Sequence, residues 1–443
     1  MREERNDARS AALRVLRQMD RAAAWADAGL DAELRRSGLA GQEAALAARL
    51  VYGVLQNRAL LDHYLGAYCS QKIDHLQKPL ADILRLGAYQ IVFLDRVPDS
   101  AAVNTSVELC RDCGRGQASG LVNAVLRKVA ANKDNLPPVP EKDAVSYLAT
   151  RYSHPKWLVR RLLSLVGREE AECFLRADNA PAPITVQTNT ILTAPEALRA
   201  SLEAEGVQVT PGLLPGSFQL RGTGNLTKLA AFQAGHFQVQ DDAAALVTEA
   251  MDLRGGEQVL DVCAAPGGKS FRCAMAMGDK GRIVACDLYE NKLRRIEAGA
   301  KRLHLTAIET AALDGRSFRA EWENAFDAVL VDAPCSGLGI IRKKPEIRYK
   351  KADDLFALPV VQTAILENAS RYVKPGGLLL YSTCTILPEE NGQVTDEFLA
   401  GHPDFRREGF VLPLGEISEG QITLWPQRQG TDGFYICRMR KAT

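Results

Sequence analysis

The chain has 443 residues, 46% hydrophobic and 25% charged, with a formal net charge of +1. That is an ordinary globular balance for about two or three domains, and the near-zero charge argues against a uniformly basic nucleic-acid coat. No apolar run approaches the roughly 18 to 20 residues of a membrane span. The start, Met1-Arg2-Glu3-Glu4-Arg5, is charged and lacks the apolar core of a secretory signal. Ten cysteines are too sparse for a disulfide scaffold, so reduced thiols and a cytoplasmic location are expected. The CxxC at Cys110-Arg111-Asp112-Cys113 has no second pair and no nearby His pair, and no metal is expected.

Residues 1–135 read as all-helical, with apolar residues at helical spacing over 11–16, 44–55, 79–93 and 101–110. Leu136-Pro137-Pro138-Val139-Pro140 breaks helices and stiffens the chain, which marks a linker over 136–144. Residues 145–235 read as a small α+β unit. It has helices over 155–166 and 194–205, the second ending at Gly206, and strands over 184–188, 207–209 and 218–220. From 236 to 443 the alternation is regular. Strands are predicted over 258–262, 282–286 and 308–313, then at the apolar runs 328–331 and 378–381. A helix over about 354–373, carrying an awkward Pro359, separates the last two, and 422–425 with 434–439 reads as a closing hairpin. Such alternation predicts a mostly parallel α/β sheet covered on both faces, of Rossmann-like type.

Cys335 and Cys384 each follow one of those last two apolar runs. If the two strands are neighbours in a parallel sheet, both thiols emerge at one rim, and in an open α/β sheet that rim binds ligands. Two thiols at one pocket suggest covalent chemistry on an electron-poor ring. The first strand leads into Cys263-Ala264-Ala265-Pro266-Gly267-Gly268-Lys269, a glycine-bearing turn before a helix. Small residues let a ligand approach the backbone, and a helix N-terminus offers free N–H donors. The turn is neither GxGxxG nor a P-loop, and alone it reads equally as a tight strand-to-helix connection. Acids raise its significance: Asp287, Asp314 and Asp332 end three successive strands. A single strand-end acid is often a helix N-cap. Three beside a glycine turn fit a nucleoside pocket, and one without phosphates suits S-adenosylmethionine. The run from Arg342 to Lys351, with Lys343, Lys344 and Arg348, concentrates positive charge just past Cys335. It reads as a solvated loop or as a track for a nucleic-acid backbone.

The stretches 261–270, 332–339, 382–391 and 239–241 resemble the 5-methylcytosine RNA methyltransferase family. Within it the chain is most similar to bacterial small-subunit ribosomal RNA methyltransferases fused to a NusB-like helical domain, the part carried by 104–109 and 120–127. The resemblance spans nearly the whole chain. It implies that Cys263 through Lys269 wrap the cofactor S-adenosylmethionine, completed by Asp287, Asp314 and Asp332. It also makes Cys384 the nucleophile and Cys335 the second cysteine. The implied substrate is a cytosine of 16S ribosomal RNA, naked or partly assembled, or of another RNA such as tRNA. RNA would be gripped by the helical domain 1–135, the unit 145–235 and Arg342, Lys343, Lys344 and Arg348. No membrane and no second copy of the chain are expected. Two departures stand out: Gln187, where the family usually has Arg, and Lys343 and Lys344, where arginine is common and offers a bidentate fork.

Carbon 5 of cytosine is a poor nucleophile until a thiolate adds at carbon 6, and only a thiolate both attacks and leaves well enough. The target base must be unstacked for that attack. Asp332 would hold the cytosine edge or contact the cofactor, and Cys335 would assist breakdown of the adduct. Three rivals are weighed. Exocyclic-amine methylation leaves Cys384 unexplained, and a DNA-type cytosine enzyme would attack with Cys335. A non-catalytic RNA-binding or antitermination factor would need neither thiol.

Overall fold

The computed structural model describes residues 6–22 and 26–443; the charged start at 1–5 lies outside the described residues. The chain forms two compact units. One spans residues up to Ala180 and also takes in Ile341–Lys350; the other comprises Pro181–Ile340 and Lys351–Thr443.

The first unit is helical. Its main helices are Ala8–Ala22, Ala26–Ser37, Gly41–Gly66, Lys78–Phe93, Asp99–Asp112, Ser119–Ala131, Ala144–Arg151 and Lys156–Asp178. Leu50, Val54, Leu84, Leu86, Val125 and Leu126 lie in one buried apolar cluster, as expected when amphipathic helices turn their apolar stripes inward. A Cβ at Gly53 would stand 1.9 Å from the Tyr89 ring, so only glycine allows this approach.

The last two helices, grouped above with the strands that follow them, pack in the helical unit instead. Backbone bonds that spacing cannot reveal hold them there. Leu60 N–H donates to Ser153 Oγ at 3.1 Å, and Gln56 Nε2 donates to the Asn179 carbonyl at 2.7 Å.

The same place corrects the expectation for Arg348. Its side chain is fully buried. One Nη donates to the Gln56 carbonyl at 2.7 Å and the Ser153 carbonyl at 3.3 Å, and the other donates to Asn179 Oδ1 at 3.1 Å. Ala26 N–H donates to Glu346 at 3.2 Å, Tyr349 O–H donates to the Leu55 carbonyl, and the Arg58 guanidinium lies 5.4 Å from the Tyr349 ring centre. Arg348 therefore ties the segment into the helical unit, and no phosphate reaches it. Arg342, Lys343 and Lys344 are half-buried. Burial holds the Arg348 pKa down, and its nearby charge, after burial, helps push buried His154 well below the ordinary histidine value.

An Arg348→Ala variant leaves these acceptors unpaired and opens a cavity. It should cost on the order of 3 kcal/mol and lower the melting temperature of the helical unit by several degrees. Circular-dichroism melting checks this; an unchanged transition refutes the clamp.

The second unit contains two principal sheets. Strands β1 (Ile184–Thr188), β2 (Gln208–Pro211), β3 (Ser217–Arg221) and β4 (Phe237–Val239) form an antiparallel sheet in the order β2-β3-β1-β4. The sequence reading contains no β4 and begins the final domain at 236. Three residues are too few for a period-2 signal, yet they complete the small sheet's edge. The sheet is fixed to the helix Glu290–Arg302 and the turn after it: Arg302 donates to the Phe232 and Phe237 carbonyls at 3.0 Å each, and Asn189 Nδ2 donates to the Leu303 carbonyl at 2.8 Å. Gln187 is fully buried and donates to Asp242 Oδ1 at 2.9 Å, so it faces no phosphate.

The larger sheet holds β5 (Gln258–Asp261), β6 (Arg282–Asp287), β7 (Ile308–Ala312), β8 (Phe326–Asp332), β9 (Val373–Thr383), β10 (Phe405–Arg407), β13 (Gln421–Leu424) and β14 (Phe434–Lys441). A separate small ribbon pairs β11 (Phe410–Val411) with β12 (Ile417–Ser418). The order is β10-β14-β9-β8-β5-β6-β7, with β13 beside β14. Strands β5 to β9 run parallel, while β14 joins β9 antiparallel and forms the expected hairpin with β13. Residues of β8 and β9 alternate between two buried clusters: Leu330, Leu378 and Leu380 on one face, Val329, Val331, Leu379 and Tyr381 on the other. Both faces are covered, as the continuous apolar runs predict. The helix before β9 is Leu358–Ser370, shorter than read. Pro359 sits in its first turn, where a missing N–H costs nothing, so it starts the helix. Among the described residues no helix is long and apolar enough to cross a membrane.

Candidate active site

After β7 the chain crosses to the other side of β5, so β5 and β8 flank the topological switch point, where open α/β sheets bind ligands. The turn Cys263–Lys269 leaves β5 at this point and the Cys335 turn leaves β8. Backbone bonds shape the first turn: Ala264 N–H donates to the Cys286 carbonyl and Gly267 N–H to the Ala264 carbonyl, both at 2.7 Å. Gly267 has φ +109°, which side-chain-bearing residues rarely adopt, and begins the helix Gly268–Ala276.

Asp261, which the sequence reading placed in the first strand without a site role, closes β5 beneath this turn. Oδ2 accepts from Ser270 Oγ at 2.6 Å, whereas Oδ1 is buried and has no partner. Such an acceptor is expensive to leave unpaired and suits the ammonium group of an amino-acid-bearing cofactor. Asp287, at the end of β6, accepts from Tyr289 N–H at 3.1 Å and lies 3.3 Å from Lys292. Asp314, beyond β7, is held by Arg316 through Nε at 2.9 Å and Nη at 2.7 Å; those bonds draw its pKa down. The glycine cradle, the unpartnered Asp261 oxygen and the strand-end acids fit S-adenosylmethionine, whose sulfonium is cationic and which carries no phosphate.

The thiols meet as the rim argument requires. Strand β8 pairs with β9 so that Asp332 stands opposite Ser382. Three residues past Asp332 and two past Ser382, Cys335 Sγ and Cys384 Sγ lie 3.2 Å apart, both half-buried. Asp332 is the hub beside them: Oδ1 accepts from Ser382 Oγ at 2.8 Å and Oδ2 from Lys269 Nζ at 2.7 Å. The Lys269 ammonium also lies 4.9 Å from the Phe434 ring centre. Burial presses the Lys269 pKa down, but Asp332 more than offsets it and the net shift is upward, with the Cys384 charge adding to it. Lys269 thus stays cationic near Cys384.

The hydrogen bond to Cys384, then burial, then the charges of Cys384, Glu390 and Asp332, push the Cys335 thiol well above its ordinary value. Either sulfur can donate in the contact between them. Cys263 is a different kind of thiol. Burial, then Asp261, Asp332 and Asp287, hold it firmly protonated, so it is no nucleophile.

Three more residues went unread. Glu390 is buried and binds the turns that carry both thiols, and Gln362 bridges Glu390 to the Pro334 carbonyl at 3.0 Å. Ser382 anchors Asp332. Among the described residues no group of His, Cys, Asp and Glu is arranged to hold a metal ion, and the Cys110 thiol donates to the Arg115 carbonyl at 3.0 Å.

A mostly parallel sheet with this switch point, a glycine-cradled turn and strand-end acids define an S-adenosylmethionine-dependent methyltransferase. Residues 248–440 match the family described as 16S rRNA methyltransferase RsmB/F, residues 6–131 the NusB family, and residues 154–227 the ferredoxin-like domain of RsmF/B-like methyltransferases. A probable ribosomal RNA small subunit methyltransferase B from Bacillus subtilis is 36% identical, covering 98% of each chain. The ribosomal RNA small subunit methyltransferase B of Erwinia tasmaniensis is 33% identical, covering 90% of this chain and 91% of its own. The crystal structure of a methyltransferase homologue from Pyrococcus horikoshii, 29% identical, aligns with a TM-score of 0.59 over 68% of this chain and 100% of that one. The chain belongs to the RsmB/F methyltransferase family.

Burial raises the Asp261 pKa to about 7, from an ordinary carboxylate value near 4. As pH rises, the unfolded chain releases this proton first. The stabilisation is therefore complete below about pH 4, shrinks up to about pH 7 and is gone above that. Asp261→Asn should flatten this slope. Melting temperatures of the cofactor-free proteins at pH 5 and 7.5 test it: the wild type loses more than the variant, and equal losses refute the assignment.

Proposed function

We propose that the enzyme methylates carbon 5 of a cytosine in 16S ribosomal RNA through a covalent bond between Cys384 and the base. The observation that carries this reading is the pair of thiols 3.2 Å apart at the ligand rim, with Lys269 and Asp332 beside them. The names of the relatives support the ribosomal target.

The Cys384 thiolate adds to carbon 6, forming the C–S bond and making carbon 5 electron-rich. S-adenosylmethionine, when bound, supplies an electrophilic methyl group to that carbon. Asp332 accepts a hydrogen bond from the cytosine edge and favours protonation at nitrogen 3 as the thiolate adds. A base then takes the carbon 5 proton, the C5=C6 bond re-forms and Cys384 leaves as the thiolate. Cys335, its sulfur next to Cys384, assists this last step. Lys269 keeps positive charge near the attacking sulfur.

The helical domain and the small antiparallel sheet would grip flanking RNA, together with Arg342, Lys343 and Lys344. An unstacked cytosine is required, because carbon 6 is shielded within a helix.

Cys335→Ala should accumulate a protein–RNA species that survives a denaturing gel when incubated with RNA and cofactor, and Cys384→Ala should form none. The reverse pattern would make Cys335 the attacker, as in a DNA-type enzyme, and would overturn the assignment. Mapping 5-methylcytosine in total RNA with and without the gene tests the target: loss of a 16S site supports it, and loss from tRNA alone refutes it.

A further inference from the structure

Glu390 is 1% exposed, yet every partner of its carboxylate is a neutral donor. Oε2 accepts from the Ser336 backbone N–H at 2.8 Å and from Gln362 Nε2 at 3.0 Å, and Oε1 accepts from Thr385 Oγ1 at 3.3 Å. Ser336 directly follows Cys335, and Thr385 directly follows Cys384. The two hydroxyls also meet each other at 2.7 Å. Further bonds complete the frame: Gln362 donates to the Pro334 carbonyl, just before Cys335, Gly339 N–H donates to the Cys384 carbonyl at 3.0 Å, and Tyr381 O–H donates to the Glu390 carbonyl at 2.7 Å.

A buried carboxylate with no cation beside it costs several kcal/mol of desolvation. A glutamine of the same shape would satisfy the same neighbours: its oxygen would accept from Ser336 and Gln362, and its NH2 would donate to Thr385. Folding alone therefore does not require the charge.

We infer that Glu390 is a positioning residue for the thiol pair. By binding the residue after each cysteine it sets the gap between them, and its charge decides which one keeps the proton. The groups facing the pair divide accordingly. Cys335 faces Cys384, Glu390, Asp332 and the Tyr381 hydroxyl, none of them cationic, whereas Cys384 has Lys269 near it. The charge of Glu390 works against ionisation of Cys335 and so leaves Cys384 as the member that ionises. The inference deepens the covalent reading above and rests on it, but its test needs no RNA.

The full-length protein is alkylated with iodoacetamide across a pH series, and each cysteine is followed by peptide mass spectrometry. In the wild type Cys384 should react faster than Cys335. Glu390→Gln, with cofactor affinity retained by calorimetry, should let Cys335 ionise more readily and lower the Cys384-to-Cys335 ratio about tenfold, as a shift of about one pKa unit implies. Glu390→Asp, which keeps the charge, should keep the selectivity, and it carries the test if the Gln variant does not fold. An unchanged ratio in Glu390→Gln, a loss of selectivity in Glu390→Asp, or a wild type in which Cys335 is the faster thiol overturns the inference. A failed adduct trap with the alkylation pattern intact overturns the covalent reading alone.

Discussion

The chemistry rests on the register between β8 and β9. Asp332 lies opposite Ser382, and from that pairing each chain has only two or three residues in which to bring its thiol to the rim. Register here is a packing decision. Leu330 and Leu380 belong to one buried cluster and Val331 and Tyr381 to the other. A one-residue slip would exchange the faces of every side chain in the strand. It would also take Ser382 from Asp332 and Cys384 from Cys335. The apolar layers on the two faces of the sheet therefore set a sulfur–sulfur distance that no residue at the rim could impose alone.

Charge is distributed around that geometry in a graded way. Asp261, Asp287 and Asp314 lie on the β5–β7 side, where a cationic cofactor gains from them. Lys269 and Asp332 form an ion pair across the switch point at 2.7 Å. The thiols lie beyond it. Two sulfurs at 3.2 Å cannot both hold full negative charge in a half-buried site, because like charges at that distance raise each other's proton affinity. The Cys384 contact and burial, with the charges of Glu390 and Asp332 adding to them, hold the Cys335 thiol well above its ordinary value. Cys263 shows that a cysteine in this neighbourhood is not reactive by default: it lies among the acids and stays protonated.

How legible this was depended on how local each signal is. Strands β5, β6, β8 and β9 could be read because strands buried on both faces form apolar runs, and the thiols, Asp287 and Asp332 follow from where those runs stop. Pro359 misled because one residue both breaks a helix interior and opens a first turn, and only the true helix start separates the two. Arg348 could not be read at all. Its charge suggests solvent, but its partners Gln56 and Asn179 are 292 and 169 residues away in the chain, and no window of sequence contains them. Glu390 was hidden differently. Within Pro388-Glu389-Glu390-Asn391 it looks like a solvated acidic pair, and its burial comes from Tyr381, Thr385 and Ser336 folding around it.

Arg348 also changes what a domain boundary means in this chain. By sequence, Ile341–Lys350 is part of the catalytic domain, since it lies between the two cysteine-bearing strands. By packing it belongs to the helical unit, where it supplies a guanidinium to carbonyls of Gln56 and Ser153 and an acid to the Ala26 N–H. Cutting the chain at the proline-rich linker would remove Gln56, the 2.7 Å acceptor of Arg348, and Ala26, the partner of Glu346, from that arrangement. A charged group that is buried only because a remote helix covers it becomes exposed, or destabilising, once that helix is gone. The helical domain is therefore not a detachable RNA grip, because a segment of the catalytic sequence is built into its structure.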